Sequence, residues 1–330
     1  MERALLRLIY MIAFYFGIVA LFYYFNRHRQ IVLTYHNILP DELFDNSLHL
    51  GMSHSESVFA RQLEIIKRRW PTSRSGAADA CLVTFDDGYR NQYEIASNIL
   101  ERHGHRGVFF VTLDLVVDRT LLWPDQFLMW LSYVPNGSYQ LLGQWVEIGG
   151  GDSRSRCWSW IWEQILTNYN CREDIKNSMD AAFPFDKLPI DQSLKALRFE
   201  GMTFAQTEEL ARKGHRIGCH SYRHDVLACL TDAALDDDFA RCEDALDWVF
   251  NCDFYSYPFG GPREVTERER SACRKSRFRR AFMNVERLEP SRANDGYAIP
   301  RTSLPNTMNR YVIEAKLSGF DKFLKTLLVK

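Results

Sequence analysis

A chain of 330 residues that is 46% hydrophobic and 25% charged can bury one core of barrel size or two ordinary ones, which excludes a disordered or fibrous protein. With 41 Lys and Arg against 42 Asp and Glu the formal net charge is -1, so there is no general basic footprint for nucleic acid, and a neutral or membrane-proximal partner fits better. The 8 cysteines include no C-x-x-C pair, which argues against a zinc ribbon or a thioredoxin-type motif and leaves the redox compartment open.

From Leu8 to Phe25 the chain reads LIYMIAFYFGIVALFYYF without a charge, preceded by Arg3 and Arg7 and followed by Asn26-Arg27-His28-Arg29. That is close to the minimum length of a membrane-spanning helix, and its aromatic ends suit the bilayer interface. No small-residue cleavage site follows, so residues 1–30 are expected to be an uncleaved anchor. The alternatives are a hydrophobic helix packed on the domain or one lying flat in the interface. Arginines flank both ends, so the positive-inside rule does not choose the side of the membrane. An anchor ending this close to residue 31 would hold the following domain, 31–330, against the bilayer.

Ile31 to His36 is an apolar strand ending in a polar residue, and Asn37 to Pro40 then turns the chain. Phe59 to Arg68 has helical spacing. Ala80 to Phe85 is a second apolar strand, rich in β-branched and aromatic residues, that ends abruptly in Asp86-Asp87-Gly88. Gln92 to Arg102 reads as a helix with Gly104 just past its end, and Gly107 to Leu115 as a third strand. Alternating strands and helices predict a parallel sheet or barrel.

Residues 118–200 break that rhythm. They hold Trp123, Trp130, Trp145, Trp158, Trp160 and Trp162, a Gly149-Gly150-Gly151 turn and several helical patterns, and they read as an insertion above a barrel mouth. The tryptophans are expected to form the core of the insert; a sugar-stacking surface is the alternative. Order returns with Thr203 and Gln206, a capping box that opens a helix running to Lys213. His215 to Cys219 is a short strand that delivers His220-Ser221-Tyr222-Arg223-His224. Asp232 to Phe250 is amphipathic, and Asp253 to Gly261 contains a strand stopped by Pro258 and glycines. Phe278 to Val285 and Tyr297 to Leu304 supply the last strands, and Met308 to Leu327 a terminal helix.

Adjacent side chains at a strand end point to opposite sides, so Asp86 and Asp87 can take different roles, one on a metal and one on protons. Capping of the following helix is the plainer role for such a pair. His220 and His224 stand four apart directly after a strand, a spacing that lets two imidazoles face one ion. Together with Asp87 they make two nitrogens and one carboxylate with open coordination positions, the complement of a catalytic Zn²⁺; Co²⁺, Ni²⁺ or Mn²⁺ would also fit such ligands. His49, His54, His103 and His105 lie in loops or helix ends and carry no argument.

Thr84-Phe85-Asp86-Asp87-Gly88-Tyr89 resembles the first motif of the polysaccharide deacetylase family, His220-Ser221-x-x-His224 its second, and Tyr257-Pro258-Phe259-Gly260 a variant of its third. The resemblance spans about Ile31 to Leu304, with the insert poorly covered. It implies an α/β fold, a distorted (β/α) barrel with fewer than eight strands, and metal-dependent removal of an N-acetyl group from an amino sugar in a poly- or oligosaccharide. It further implies Asp87, His220 and His224 as metal ligands, Asp86 as general base, and the Phe259 N–H as oxyanion donor, with Tyr257 and Arg301 on the substrate side.

Two positions depart from the family pattern. The arginine that usually orients the base is replaced by Ser256; Arg301 is either its substitute or a plain surface arginine. No histidine follows His224, so the general acid usually found late in the chain is missing. His36, in the pair Tyr35-His36, is the candidate replacement, because some exopolysaccharide deacetylases carry their acid in an early Tyr-His motif; a turn histidine bonding backbone is the alternative. These departures keep two other readings open: a catalytically degenerate glycan-binding or assembly protein, and a hydrolase of another small amide or imide on the same fold.

Overall fold

The computed structural model describes residues 2–27, 30–44, 52–69, 81–150, 152–285 and 295–328. His28, Arg29, His49, Ala80 and Gly151, named above, lie outside the described residues. Its centre is a ring of short parallel strands: β1 (Val32–Tyr35), β2 (Leu82–Phe85), β3 (Gly107–Val111), β4 (Arg216–Cys219), β5 (Phe254–Ser256), β6 (Arg280–Met283), β7 (Ile299–Pro300) and β8 (Thr302–Ser303). The order is β7-β6-β5-β4-β3-β2-β1-β8. β7 and β8 are two halves of one extended stretch interrupted at Arg301: Ile299 pairs with Phe282 of β6, while Thr302 pairs with Leu33 of β1. Seven stretches of chain therefore close the barrel, with one arginine at the closure.

Alternation along the strands builds the interior. Val32, Val108, Phe110, Phe254 and Phe282, with Leu82 and Ile299 against them, form an apolar plug. Two residues further along the same strands the inward positions are Thr34 and His36, Thr84 and Asp86, Ser256, Asn284 and Arg301. A polar layer thus sits directly above the plug, at the carboxyl ends of the strands. The opposite positions face the surrounding helices, where Tyr35, Phe85 and Phe109 stack across three neighbouring strands at 5.7 and 4.9 Å. These outward rings are buried, each contributing about 1.5–3 kcal/mol of transfer free energy.

Several elements differ from expectation. The third strand stops at Val111, and Leu113–Val116 is a helical turn. The Asp232 helix ends at Asp244, followed by a single tight turn. Helix Gln92–Arg102 begins as a wide π-type turn over Gln92–Ser97. The insertion contains a hairpin, Gly137–Leu141 with Gln144–Ile148, among helices Trp123–Tyr133, Ser153–Thr167, Arg172–Ala182 and Gln192–Phe199. Its turn residues Leu142 and Gly143 both have positive φ, a conformation for which leucine gives no sequence signal. Trp130 is the buried centre of the insert, packed with Ile161, Ile165, Ile175 and Met179.

The uncharged N-terminal run is also not one helix. It breaks into Glu2–Tyr15 and Ile18–Asn26 at Gly17, whose φ of 77° is left-handed, and the two axes differ by 74°. Among the described residues no single helix is long and apolar enough to cross a membrane. The terminal helix likewise divides at Gly319 (φ 85°) into Arg310–Ser318 and Phe320–Leu328. The N-terminal pair packs on this C-terminal pair, with Tyr10, Ala13, Val19, Ala315 and Phe320 buried between them.

Candidate active site

Strand β2 ends at Phe85, and the chain turns sharply: Asp87 has φ 81° and Gly88 φ 93°, where an added Cβ would meet Val116 at 2.9 Å. The turn separates the two carboxylates, Asp86 staying on the inward face while Asp87 swings toward the loop after β4. Both are buried.

Asp86 is held by Arg301 in a two-pronged pair, Nη1 to Oδ1 at 2.6 Å and Nη2 to Oδ2 at 2.5 Å. The Ser256 hydroxyl donates to Oδ1 at 3.2 Å. Burial works against the charge on Asp86, but the Arg301 guanidinium and His220 outweigh it and hold the carboxyl below its usual range. Arg301 is fully buried, not a surface residue, and also donates to Asn284 Oδ1 at 2.8 Å. Its side chain therefore acts on Asp86 and is spent there, which departs from the expected place on the substrate side. Motif comparison missed Asn284; the only signal was its position just past a strand end.

Asp87 Oδ1 lies 3.3 Å from His220 Nε2 and 3.1 Å from His224 Nε2. Neither carboxylate oxygen has a hydrogen-bond partner. Burial raises its pKa, yet the two imidazoles more than offset that and the group stays well below the ordinary carboxylate range. His220 Nδ1 donates to the Ser256 carbonyl at 2.7 Å, which leaves Nε2 as the nitrogen with a free lone pair toward Asp87. Ligand atoms of Asp87, His220 and His224 lie within 4.8 Å of one another. A buried carboxylate without a donor, facing two imidazole nitrogens, fits a divalent cation, since an orphaned buried charge is otherwise costly.

The loop carrying the histidines is strained and heavily braced. Ser221 and His224 both have positive φ, and the Ser221 hydroxyl accepts from the His224 N–H at 2.9 Å. Buried Asp238 accepts from the Tyr222 N–H at 3.0 Å. From the insertion, Trp123 Nε1 donates to the His224 carbonyl at 3.0 Å, and Tyr169 and Arg172 both reach Asp225, at 2.6 and 2.7 Å. The insert therefore fixes the loop that carries His220 and His224 as well as roofing it.

His36 is at the end of β1 with Nε2 3.9 Å from Asp86 Oδ2, and burial lowers its pKa. Phe259 has φ 60°, and its ring packs on His224 and Trp162, both at 4.7 Å. Its N–H has no hydrogen-bond partner among the described residues, while its carbonyl accepts from Asn284 Nδ2 at 3.1 Å. Tyr257, expected on the substrate side, is instead a core residue. Strand alternation turns it outward, where it packs on Tyr255 and donates to the Tyr297 carbonyl at 3.1 Å.

His36, Asp87, His220, His224 and Phe259 open on one cavity of about 350 Å³ whose other walls include Trp158, Trp162 and Asp125. Trp158 and Trp162, expected as plain core, thus reach the site: their rings stack at 5.9 Å, and Trp162 runs on to Trp123 at 6.4 Å. Asp125, at the start of the first insertion helix, accepts from the Tyr89 hydroxyl at 2.9 Å. Burial and the nearby charge of Asp87 push it up to about 7. No sequence motif marked it.

No curated protein sequence matches the chain. Among solved structures, a polysaccharide deacetylase from Bacillus cereus superimposes with a TM-score of 0.53 at 13% identity, covering 88% of this chain and 68% of that one. The Streptococcus pyogenes deacetylase PplD, in complex with acetate, gives 0.52 at 15% identity, covering 87% and 98%. IcaB from Ammonifex degensii gives 0.51 at 17%, covering 88% and 97%. At these identities the likeness is one of fold. Residues 198–275, which carry the His220 and His224 motif, match the polysaccharide deacetylase family model. That segment carries the family match, and the barrel around it is similar in fold to the solved polysaccharide deacetylases.

Proposed function

We propose that this chain removes the N-acetyl group of an amino sugar in a glycan, using one divalent cation held by Asp87, His220 and His224. The observation that carries the proposal is the pairing of two unlike carboxylates on one turn: Asp87 without a donor between two imidazoles, and Asp86 clamped by Arg301. Bound there, such an ion would polarise the acetyl carbonyl and acidify water beside it.

The chain's own groups supply the rest. Asp86, kept ionised by Arg301, accepts a proton from the attacking water. The free Phe259 N–H donates to the oxygen of the tetrahedral centre as charge develops there. His36, 3.9 Å from Asp86, can hand on the proton that Asp86 takes from water to the departing amine, so that amide plus water give acetate and free amine. Trp158 and Trp162 offer a stacking wall for the sugar ring, and Asp125 an acceptor for its hydroxyls.

The substitution of arginine by Ser256 does not require a degenerate site, because Arg301 reaches the same carboxylate from the strand that closes the barrel. The test joins acetate release from N-acetylglucosamine oligomers with metal analysis. Asp86→Asn is expected to abolish turnover with metal retained, and His220→Ala to lose both. Normal turnover in either variant overturns the proposal.

A further inference from the structure

We propose that the N-terminal helix pair and the last helix together form a surface that docks flat on an anionic bilayer without crossing it. Each N-terminal helix is apolar on two sides. Tyr10, Ala13 and Val19 face inward onto the C-terminal helices. In the first helix and the turn just past it Leu5, Leu8, Ile12 and Phe16 recur at spacings of three and four and are exposed, Phe16 at 79%. Leu21, Tyr24 and Phe25 do the same in the second helix, and Phe323 and Leu327 in the last. The Phe22 ring lies 5.4 Å from Phe320 and 5.2 Å from Phe323, which joins the second and last helices into one face. An apolar face of this extent on a folded domain calls for a cover.

The charges select the cover. Among the described side chains of these four helices the acids are Glu314 and Asp321, and both are buried. Glu314 accepts from Tyr23 at 2.7 Å and from Arg69 at 3.1 Å; Asp321 accepts from Tyr10. The exposed charges among the described side chains, Arg7, Arg27, Arg310 and Lys325, are all basic; Arg310 and Lys325 also pair with Glu314 at 3.4 Å and Asp321 at 3.0 Å, which leaves Arg7 and Arg27 as the charges directed outward. A face of leucine and aromatic side chains whose outward charges, among the described side chains, are positive complements anionic headgroups over an acyl boundary. A second copy of the same face would bring like charges together.

Spanning does not fit. Helices of 14 and 9 residues are roughly 21 and 14 Å long, against about 30 Å of hydrocarbon, and the 74° bend prevents their adding end to end. Hydrogen bonds further tie the pair to the domain: Tyr23 to Glu314, and Asn26 Nδ2 to the Ser318 carbonyl at 2.8 Å. A span would have to break them.

The experiment is cosedimentation of the full chain with vesicles of phosphatidylcholine alone or mixed with phosphatidylglycerol, followed by alkaline carbonate washing. Binding is expected on the mixed vesicles, weakened by salt and released by carbonate. Phe16→Ser with Phe25→Ser should weaken it at least about tenfold, and Arg27→Gln roughly fivefold on mixed vesicles alone, with unchanged thermal midpoints because these side chains are exposed. Failure to pellet with mixed vesicles, resistance to carbonate, or a dimer that these same substitutions dissociate would each overturn the proposal.

Discussion

Arg301 is the residue on which the geometry of Asp86, the proposed base, depends, and its replacement by methionine tests that dependence. The side chain is fully buried and makes two short charge-assisted bonds to Asp86, a third to Asn284 at 2.8 Å, and a longer one to Thr84 Oγ1 at 3.3 Å. Methionine fills much of the volume but leaves Asp86 charged, buried and supported only by the Ser256 hydroxyl and the neighbouring imidazoles. Breaking a buried pair from one side costs about 3–5 kcal/mol. Arg301→Lys keeps a charge but not the two-pronged geometry, so it should lose about half of that. The assay is chemical denaturation of a double-mutant cycle with Asp86→Asn, read beside acetate release. In the Asp86→Asn background the uncompensated charge is gone, and Arg301→Met should cost about 2–3 kcal/mol less than in the native background. Turnover should fall at least about a hundredfold in both Arg301 variants, because the base is no longer held in line. A cost below about 1 kcal/mol that does not change with Asp86→Asn would refute the role of Arg301 as the clamp of the base.

Further expectations follow from the same geometry. Gly260 has φ 68°, and an added Cβ would sit 2.6 Å from the Asn284 backbone nitrogen; Gly260→Ala should therefore cost about 2 kcal/mol or more and lower turnover by shifting the Phe259 N–H, seen in denaturation and acetate release. Trp162→Ala removes a stacking wall rather than a reacting group, so KM should rise several-fold with kcat changed less, and the reverse pattern would contradict a sugar-binding role. Buried His54, whose Nε2 donates to the Leu304 carbonyl at 2.8 Å, is held down to about 4 by burial. Its stabilising contribution is complete above the unfolded value near 6.5 and is lost as pH falls toward 4, because only the unfolded chain takes the proton; with about 1.36 kcal/mol per pKa unit the loss reaches about 2 kcal/mol at pH 5. His105 and His215, also held down to about 4, act in the same direction, and an unfolding free energy that stays flat between pH 7 and 5 would contradict this.

How much of this was legible in the chain depended on whether the information was local. The apolar runs ending at Tyr35, Phe85 and Cys219 announce parallel strands, and the capping box at Thr203 with Gln206 announces a helix, because each signal is complete within a few residues. Asp86, Asp87, His220 and His224 stand out for the same reason: chemistry that needs several ligands at strand ends leaves compact motifs. Arg301 does not stand out, since whether an arginine lies on the surface or in the barrel depends on the closure of β7 and β8 on two different neighbours, which no window of sequence contains. The N-terminal run misleads in the opposite direction. Its hydropathy reads as one span, but Gly17 breaks the helix, and one side of it packs on Tyr311 and Phe320, with Tyr10 donating to Asp321, some three hundred residues away. Asp125 and Trp162 were hidden because the insertion has no motif of its own; what makes them part of the site is that their helices pack over the mouth of a barrel built by other segments. The residues proposed to perform chemistry were therefore readable in advance as candidates, whereas those that hold, roof and orient them became visible only with the ring closed.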